Sequence, residues 1–393
     1  MEFMKVLQIV PSISLIYGGP SQMVIGLSSA LFRQGVEVTI LTTNSNGDVG
    51  QAPLDVPLAK PILENGYQVI YFPCSPFRRY KFSLGLLNWL AKEAHHYDIA
   101  HIHALFSPVS TAAATVCRQK KLPYLLRPLG TLDPADLLKK QHLKKIYAAL
   151  LEKPNIAGAA GIHFTSEQEC QISERFGIDT QDFVVPLGVN FSKSLPEKGK
   201  ISHQLGIPTQ VPLILFMSRI DPKKGLDLLL PALETLLDKG IDFHFVLAGS
   251  NPQDPSYENQ IRQRIKGSVL AKNTTITGFV EGEVKLGLLQ DADLLVLPSY
   301  YENFGIAVAE AMGIGTPVVI SDQVHIWQAV EKAEAGWVTQ CNVADLTQTL
   351  QIALQNPLFR EQRGKNAFSL VREQYSWDAI AQKMIDVYRQ AIK

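Results

Sequence analysis

Short apolar runs alternate with helical stretches along this whole chain, and that alternation restricts the fold to parallel sheets covered by helices on both faces. In the first half the runs are Val6 to Val10, Val36 to Leu41, Val69 to Phe72, Ile99 to His103, Tyr124 to Leu126, Gly161 to Phe164 and Phe183 to Val185. The pattern restarts with Pro212 to Met217, Phe243 to Ala248, Thr274 to Ile276, Leu294 to Leu297 and Val318 to Ile320. Between the two series, residues 191–211 lack periodicity and carry Pro196, Gly199 and several charges, as a linker or hinge does. A length of 393 residues suits two cores better than one. The expected domains are therefore α/β units over 1–190 and 212–375. Ser166-Glu-Gln-Glu169 reads as a capping box, Ser166 accepting from the third helical N–H and Glu169 reaching back, on a helix ending near Gly177. Trp377, Ile380, Ala381, Met384, Ile385 and Tyr388 recur at three-to-four spacing, which makes the last stretch an amphipathic helix.

The segment from Ser299 to Gly313 points to function. Pro298 and Ser299 stop the run Leu294 to Leu297, and helical composition begins at Ile306. Asn303, Phe304 and Gly305 then leave backbone N–H groups at the positive end of a helix, where phosphate is best held. Glu302 falls in the loop and Glu310 more than a turn inside the helix. Each carboxylate can accept hydrogen bonds from sugar hydroxyls. A bland reading makes both surface charges. Ala307, Ala309, Ala311 and Gly313 argue against it, because a solvent-facing helix would surround its glutamate with Lys and Gln. Upstream, Arg219 follows one strand and Lys224 precedes the next helix. Two cations and a helix N-terminus form a diphosphate site.

The run Glu302 to Glu310, with Asp291-Ala-Asp-Leu-Leu-Val-Leu-Pro-Ser299 before it and Gly315-Thr-Pro-Val-Val319 after it, resembles the Glu-x7-Glu motif of the retaining nucleotide-sugar glycosyltransferases of family four. The resemblance extends over nearly the whole chain. It implies the GT-B fold: two Rossmann-like domains facing across a cleft, with the C-terminal helix, residues 376–393, crossing back to the first. It also implies transfer of a sugar from a UDP- or GDP-linked donor to a carbohydrate or lipid-linked acceptor hydroxyl, with retention and without cofactor or metal. Glu310 would hold the ribose, Asn303, Phe304 and Gly305 would present N–H groups, and Glu302 would grip the transferred sugar. Arg219 and Lys224 would stabilise the departing diphosphate.

In the first half, Tyr17-Gly18-Gly19-Pro20 follows the first strand, and such glycines let a backbone approach a phosphate or sugar. The resemblance places Gly18 and Gly19 against the donor. His101 and His103 share one face of a strand. A metal reading lacks a third ligand nearby. His101 is read as a hydrogen-bonded structural residue, and the resemblance implies contact of His103 with the donor sugar. Arg127 and Thr131 lie beside a strand end on the acceptor side, although Arg127 equally suits an ion pair. Relatives often carry histidine where this chain has Leu129. Asp291-Ala-Asp293 looks like the Asp-x-Asp metal motif of other glycosyltransferases and is rejected, because Arg219 and Lys224 already supply the positive charge.

Composition removes several alternatives. Lys plus Arg and Asp plus Glu both number 37, so no bulk attraction to nucleic acid or anionic membrane follows. Lys139, Lys140, Lys144, Lys145, Arg78, Arg79 and Lys81 read first as solvated charge and second as a peripheral docking face for an anionic lipid headgroup at the inner membrane. Cys74, Cys117, Cys170 and Cys341 lack metal spacing and read as free, mostly buried thiols of a cytoplasmic chain. No apolar stretch reaches the roughly 18 residues of a membrane span. The N-terminal apolar run is broken by Gln8 and Pro11, as suits a first strand and not a signal peptide. Two rivals keep the same motifs: a non-catalytic nucleotide-sugar-binding protein and a nucleotide-sugar epimerase. A nicotinamide dehydrogenase is disfavoured by the missing GxGxxG.

Overall fold

The computed structural model describes residues 3–47, 51–75, 81–137, 147–190 and 194–393. Arg78, Arg79, Lys139, Lys140, Lys144 and Lys145 of the basic stretches lie outside them. The chain separates into two compact units, Met1–Gly188 with Trp377–Lys393, and Val189–Ser376.

The first unit holds β1 (Lys5–Ile9), β2 (Glu37–Thr43), β3 (Pro61–Glu64), β4 (Tyr67–Phe72), β5 (Ile99–His103), β6 (Tyr124–Arg127), β7 (Gly161–Phe164) and β8 (Asp182–Val184). They form one sheet in the order β3-β4-β2-β1-β5-β6-β7-β8, parallel except where β3 runs against β4. The strand β3 was not expected. It is a four-residue edge strand, too short to show alternation, and the signal that marks it is the Asn65-Gly66 hairpin turn, with both residues at positive φ.

Alternation along the central strands gives this sheet two different faces. One carries Leu7, Ile9, Ala100, Ile102, Leu126 and Phe164 into an apolar core with the helices Leu84–Glu93 and Pro108–Lys120. The other carries Gln8, His101, His103, Arg127 and His163, all buried. The helix Trp377–Ala391 buries the six apolar side chains expected of it, and Tyr388 joins this polar layer.

The second unit holds β9 (Leu213–Met217), β10 (His244–Ala248), β11 (Thr274–Gly278), β12 (Leu294–Leu297), β13 (Val318–Ser321) and β14 (Gly336–Thr339). All are parallel, in the order β11-β10-β9-β12-β13-β14. Strand β14, partly buried at the sheet's edge, also escaped the apolar-run criterion. This doubly wound order reverses between β9 and β12, and in the first unit between β1 and β5. Sheets of this kind bind ligands outside the carboxyl ends of the strands at such reversals.

Two local expectations change. Residues read as linker include the helix Lys200–Gln204, which belongs to the second unit: Asp291 accepts from the N–H groups of Gly199 and Ser202, at 2.6 and 3.1 Å, and from the Ser202 hydroxyl at 2.7 Å. A distant capping carboxylate is invisible to local composition. The capping box is half realised. Ser166 accepts from the Glu169 N–H at 3.0 Å, but Glu169 takes the N–H and hydroxyl of Thr165, both at 2.7 Å, and the helix stops at Ile172. Of the cysteines, Cys117 is buried, its thiol pushed up to about 12 by desolvation, and the other three are half-buried. No helix among the described residues is long and apolar enough to cross a membrane.

Candidate active site

At the β9/β12 reversal two loops are sewn together. The loop after β9 passes through Arg219, a single turn over Pro222–Lys224 and Gly225, then enters the helix Leu226–Asp238. The loop after β12 leads through Glu302 to the helix Ile306–Ile314. The Tyr300 N–H donates to the Lys223 carbonyl at 2.8 Å, and the Tyr300 hydroxyl donates to Asp227 at 2.8 Å. Gly225 has φ +70°, and a Cβ there would stand 2.0 Å from the Pro298 carbonyl oxygen, so a side chain would push the loops apart.

This close approach joins Lys224 to Glu302 in an ion pair, Nζ to Oε2, with 13% and 21% of the side chains exposed. Glu302 is fixed from a third loop as well. Its N–H donates to the Gln323 carbonyl at 3.0 Å, and its carbonyl accepts from the His325 N–H at 2.9 Å. The helix Ile306–Ile314 starts from Gly305, at φ +77°, without a side-chain cap. Its first N–H groups therefore keep their partial positive charge for a ligand. Phe304 contributes its backbone to this turn while its ring, 2% exposed, packs edge-on against Tyr375 at 5.3 Å. Asn303 lies in the same turn.

Glu310 pairs with Lys285 at 2.6 Å, the lysine reaching from the helix Gly282–Asp291. The sequence pattern, which sets Glu310 among small residues, pointed to a sugar hydroxyl and not to this lysine, because a helix-to-helix contact leaves no local signal. Arg219 is exposed and donates to Gln253 at 3.2 Å. Asp291 caps the Lys200–Gln204 helix, and Asp293 accepts from the Leu213 N–H at 2.9 Å, so both carboxylates of the Asp-x-Asp look-alike are engaged within the fold.

In the first unit, Gly18 has φ +68° and opens the helix Gly19–Arg33, which also lacks a side-chain cap. His103 ends β5 beside this loop's strand. Its ring is fully buried, with Nε2 at 2.7 Å from Gln8 Oε1 and Nδ1 without a partner among the described residues. The ring expected at a sugar is thus closed by Gln8 on one side. His101 is hydrogen-bonded, to the Tyr388 hydroxyl at 2.9 Å and to His163 at 3.2 Å. Burial, and then neighbouring charged and titrating groups, holds both rings well below the usual imidazole range.

Arg127 is 3% exposed, and no ion pair to it is found among the described residues. Burial lowers its pKa to about 10, with Glu169 acting in the opposite direction. The Thr131 hydroxyl donates to the Pro128 carbonyl at 2.7 Å, closing a turn in which Leu129 has φ +57°. Ala104 and Phe106, just past β5, also have positive φ, at 67° and 58°, and Glu152 accepts the Phe106 N–H at 2.8 Å. Backbone strain therefore gathers at the carboxyl ends of β5 and β6, as it does at functional sites.

Both units match known protein families. The family described as "Glycosyl transferases group 1" matches residues 197–370, and that described as "Glycosyl transferase 4-like domain" matches residues 18–188. An uncharacterized glycosyltransferase of Methanocaldococcus jannaschii is 31% identical over 214 residues, 53% of this chain and 52% of that one. The D-inositol 3-phosphate glycosyltransferase of Thermomonospora curvata is 28% identical over 409 residues, 95% of this chain and 91% of that one. The chain thus spans about half the length of the first relative and nearly all of the second. Among solved structures, sucrose-phosphate synthase from Thermosynechococcus elongatus is similar with a TM-score of 0.76 at 22% identity, covering 98% of both chains. Anabaena HepE, solved with UDP and glucose, gives 0.73 at 18% identity, covering 98% of this chain and 99% of that one. Sequence matches over both units and a shared fold lead to one conclusion: the chain belongs to the family-four-like glycosyltransferases and has the GT-B fold.

Proposed function

We propose that this chain moves a sugar from a nucleoside diphosphate donor to a carbohydrate or lipid-linked hydroxyl, with retention at the anomeric carbon and without a metal ion. The carrying observation is the pairing of Lys224 with Glu302 beside the uncapped start of the helix Ile306–Ile314. A donor diphosphate arriving there draws Lys224 toward itself, and the released carboxylate of Glu302 accepts from the sugar hydroxyls. Arg219 adds a second cation, and preorganised charge of this kind is usually the largest contribution to catalysis. Glu310 holds the ribose. No side chain is assigned as a covalent nucleophile; a donor phosphate oxygen takes the acceptor proton on the face that the leaving group vacates.

The test is incubation with UDP- and GDP-linked sugars in the presence of EDTA, following nucleoside diphosphate release and the anomeric configuration of the product. Retained configuration with turnover in EDTA is expected. Loss of turnover that manganese restores overturns the metal-free reading, and an inverted product overturns retention. Donor binding without release, with or without acceptors, points to a non-catalytic binding protein.

A further inference from the structure

Val185, His163, His101, Tyr388, Gln8 and His103 form one unbroken line of hydrogen bonds in the polar layer of the first unit. We infer that this line has a fixed direction, set by the Val185 carbonyl, which puts the His103 proton on Nε2 and leaves Nδ1 as an acceptor. Gln8 and Tyr388 are accordingly positioning residues for His103. Their bearing on function rests on the proposed place of His103 at the donor sugar.

The direction follows step by step, because each of these buried rings is neutral and carries one N–H. His163 Nε2 lies 2.8 Å from the Val185 carbonyl, which can only accept, so the His163 proton is on Nε2 and its Nδ1 accepts. His101 Nε2, 3.2 Å from that Nδ1, must therefore be the donor. His101 Nδ1 is then an acceptor, and the Tyr388 hydroxyl, 2.9 Å away, donates its single proton to it. The Tyr388 oxygen is left to accept, which requires the amide nitrogen of Gln8 at 3.0 Å and turns Gln8 Oε1 toward His103. That oxygen, 2.7 Å from His103 Nε2, accepts the His103 proton. Reversing any one step would bring two acceptors or two donors together, and reversing the whole line would leave a lone pair of His163 facing a carbonyl.

The arrangement accounts for an otherwise costly atom. His103 Nδ1 is buried, has no partner among the described residues, and in this tautomer has no proton to give. A ligand group that meets it has to be a donor, such as a sugar hydroxyl; a carboxylate, ether or fluorine in the same place has nothing to offer it. The C-terminal helix thereby takes part in recognition through Tyr388, without touching the ligand.

The test uses the full chain with isotope-labelled histidine near neutral pH, where side-chain nitrogen spectra distinguish the two neutral tautomers. His101, His103 and His163 should all carry the proton on Nε2, and the Tyr388 hydroxyl proton should be observable. Tyr388→Phe releases the Gln8 amide to turn over, so His103 should become a mixture of tautomers, and sugar transfer should fall about tenfold, the equivalent of one hydrogen bond. Gln8→Met cuts the line one step later; it should disturb His103 and leave the tautomers of His101 and His163 as they were. A His103 proton on Nδ1 in the natural chain overturns the inference, as does an unchanged His103 spectrum in both variants. Should Tyr388→Phe fail to fold, the Gln8→Met spectrum is decisive by itself: a disturbed His103 supports the line, and an unchanged one overturns it. The tautomers are read without substrate: the expected pattern in a chain that transfers no sugar removes the proposed function and leaves the relay intact, and the reverse result removes the relay alone.

Discussion

Lys285 and Glu310, on two different helices of the second unit, meet at 2.6 Å, with 28% and 19% of their side chains exposed. The carboxylate assigned to the ribose is therefore held in place by a lysine before any donor arrives. Glu310→Ala should raise the donor KM and leave kcat nearly unchanged, because hydrogen bonds to ribose are equally present in ground and transition states. Calorimetry with the nucleoside diphosphate checks it. Unchanged affinity would remove Glu310 from the ribose. Lys285→Ala should weaken the same affinity by a smaller factor, by loosening Glu310 without deleting it.

Arg219→Ala and Lys224→Ala should act mainly on kcat, with a loss on the order of 100-fold for a preorganised charge stabiliser. The binding of the bare nucleoside should hardly change. Lys224 differs from Arg219 in being paired with Glu302, so Lys224→Ala and Glu302→Ala should be strongly non-additive in a double-mutant cycle. Additive effects would mean that the two side chains serve the donor independently.

The chain's doubly wound character and the strand-loop-helix steps that carry the candidate site of the second unit were legible because both are written in local pattern. Buried parallel strands such as Leu213–Met217 read as continuous apolar runs, and the loop-to-helix step at Gly305 is marked by composition. Relations between distant elements were not legible. Lys285 beside Glu310, Asp291 capping the segment at Gly199, and Tyr388 above His101 join residues from separate elements, and each depends on how helices settle on a sheet. The burial of His103 was hidden for the same reason: a strand shows that His101 and His103 share a face, but not that a helix covers it.

Gly225→Ala should destabilise the second unit by about 2 kcal/mol or more, combining an unfavourable positive φ with a clash against Pro298. Gly240 is the internal control. It has φ +73° and open space around a would-be Cβ, so Gly240→Ala carries the backbone cost alone. Melting temperatures should fall further for the first variant than for the second. Donor affinity should suffer only in Gly225→Ala, since separating the two loops also parts Lys224 from Glu302.

The buried histidines make a pH prediction whose sign is fixed. Burial, followed by the charge of Arg127, lowers His163 from 6.5 to about 3, and His101 and His103 also lie well below 6.5. Between the folded and unfolded values the unfolded chain binds more protons, so stability is fully present above the unfolded value and is lost as pH falls through that window. Each ring contributes up to about 1.4 kcal/mol per pH unit. Glu152 works the other way: burial raises its carboxyl above 4.5, so its contribution is present at low pH and lost as pH rises. Together with His244, which burial also lowers, these three rings outweigh the one carboxyl and leave a net loss of stability on acidification. The melting temperature should therefore drop between about pH 7 and pH 5, where ordinary carboxylates barely titrate. Replacing His163 with Gln should make that slope shallower, even if the variant is less stable throughout. A flat profile in the natural chain over this interval would show that the three rings stay close to their unfolded protonation, and the polar layer would then have to be open to water.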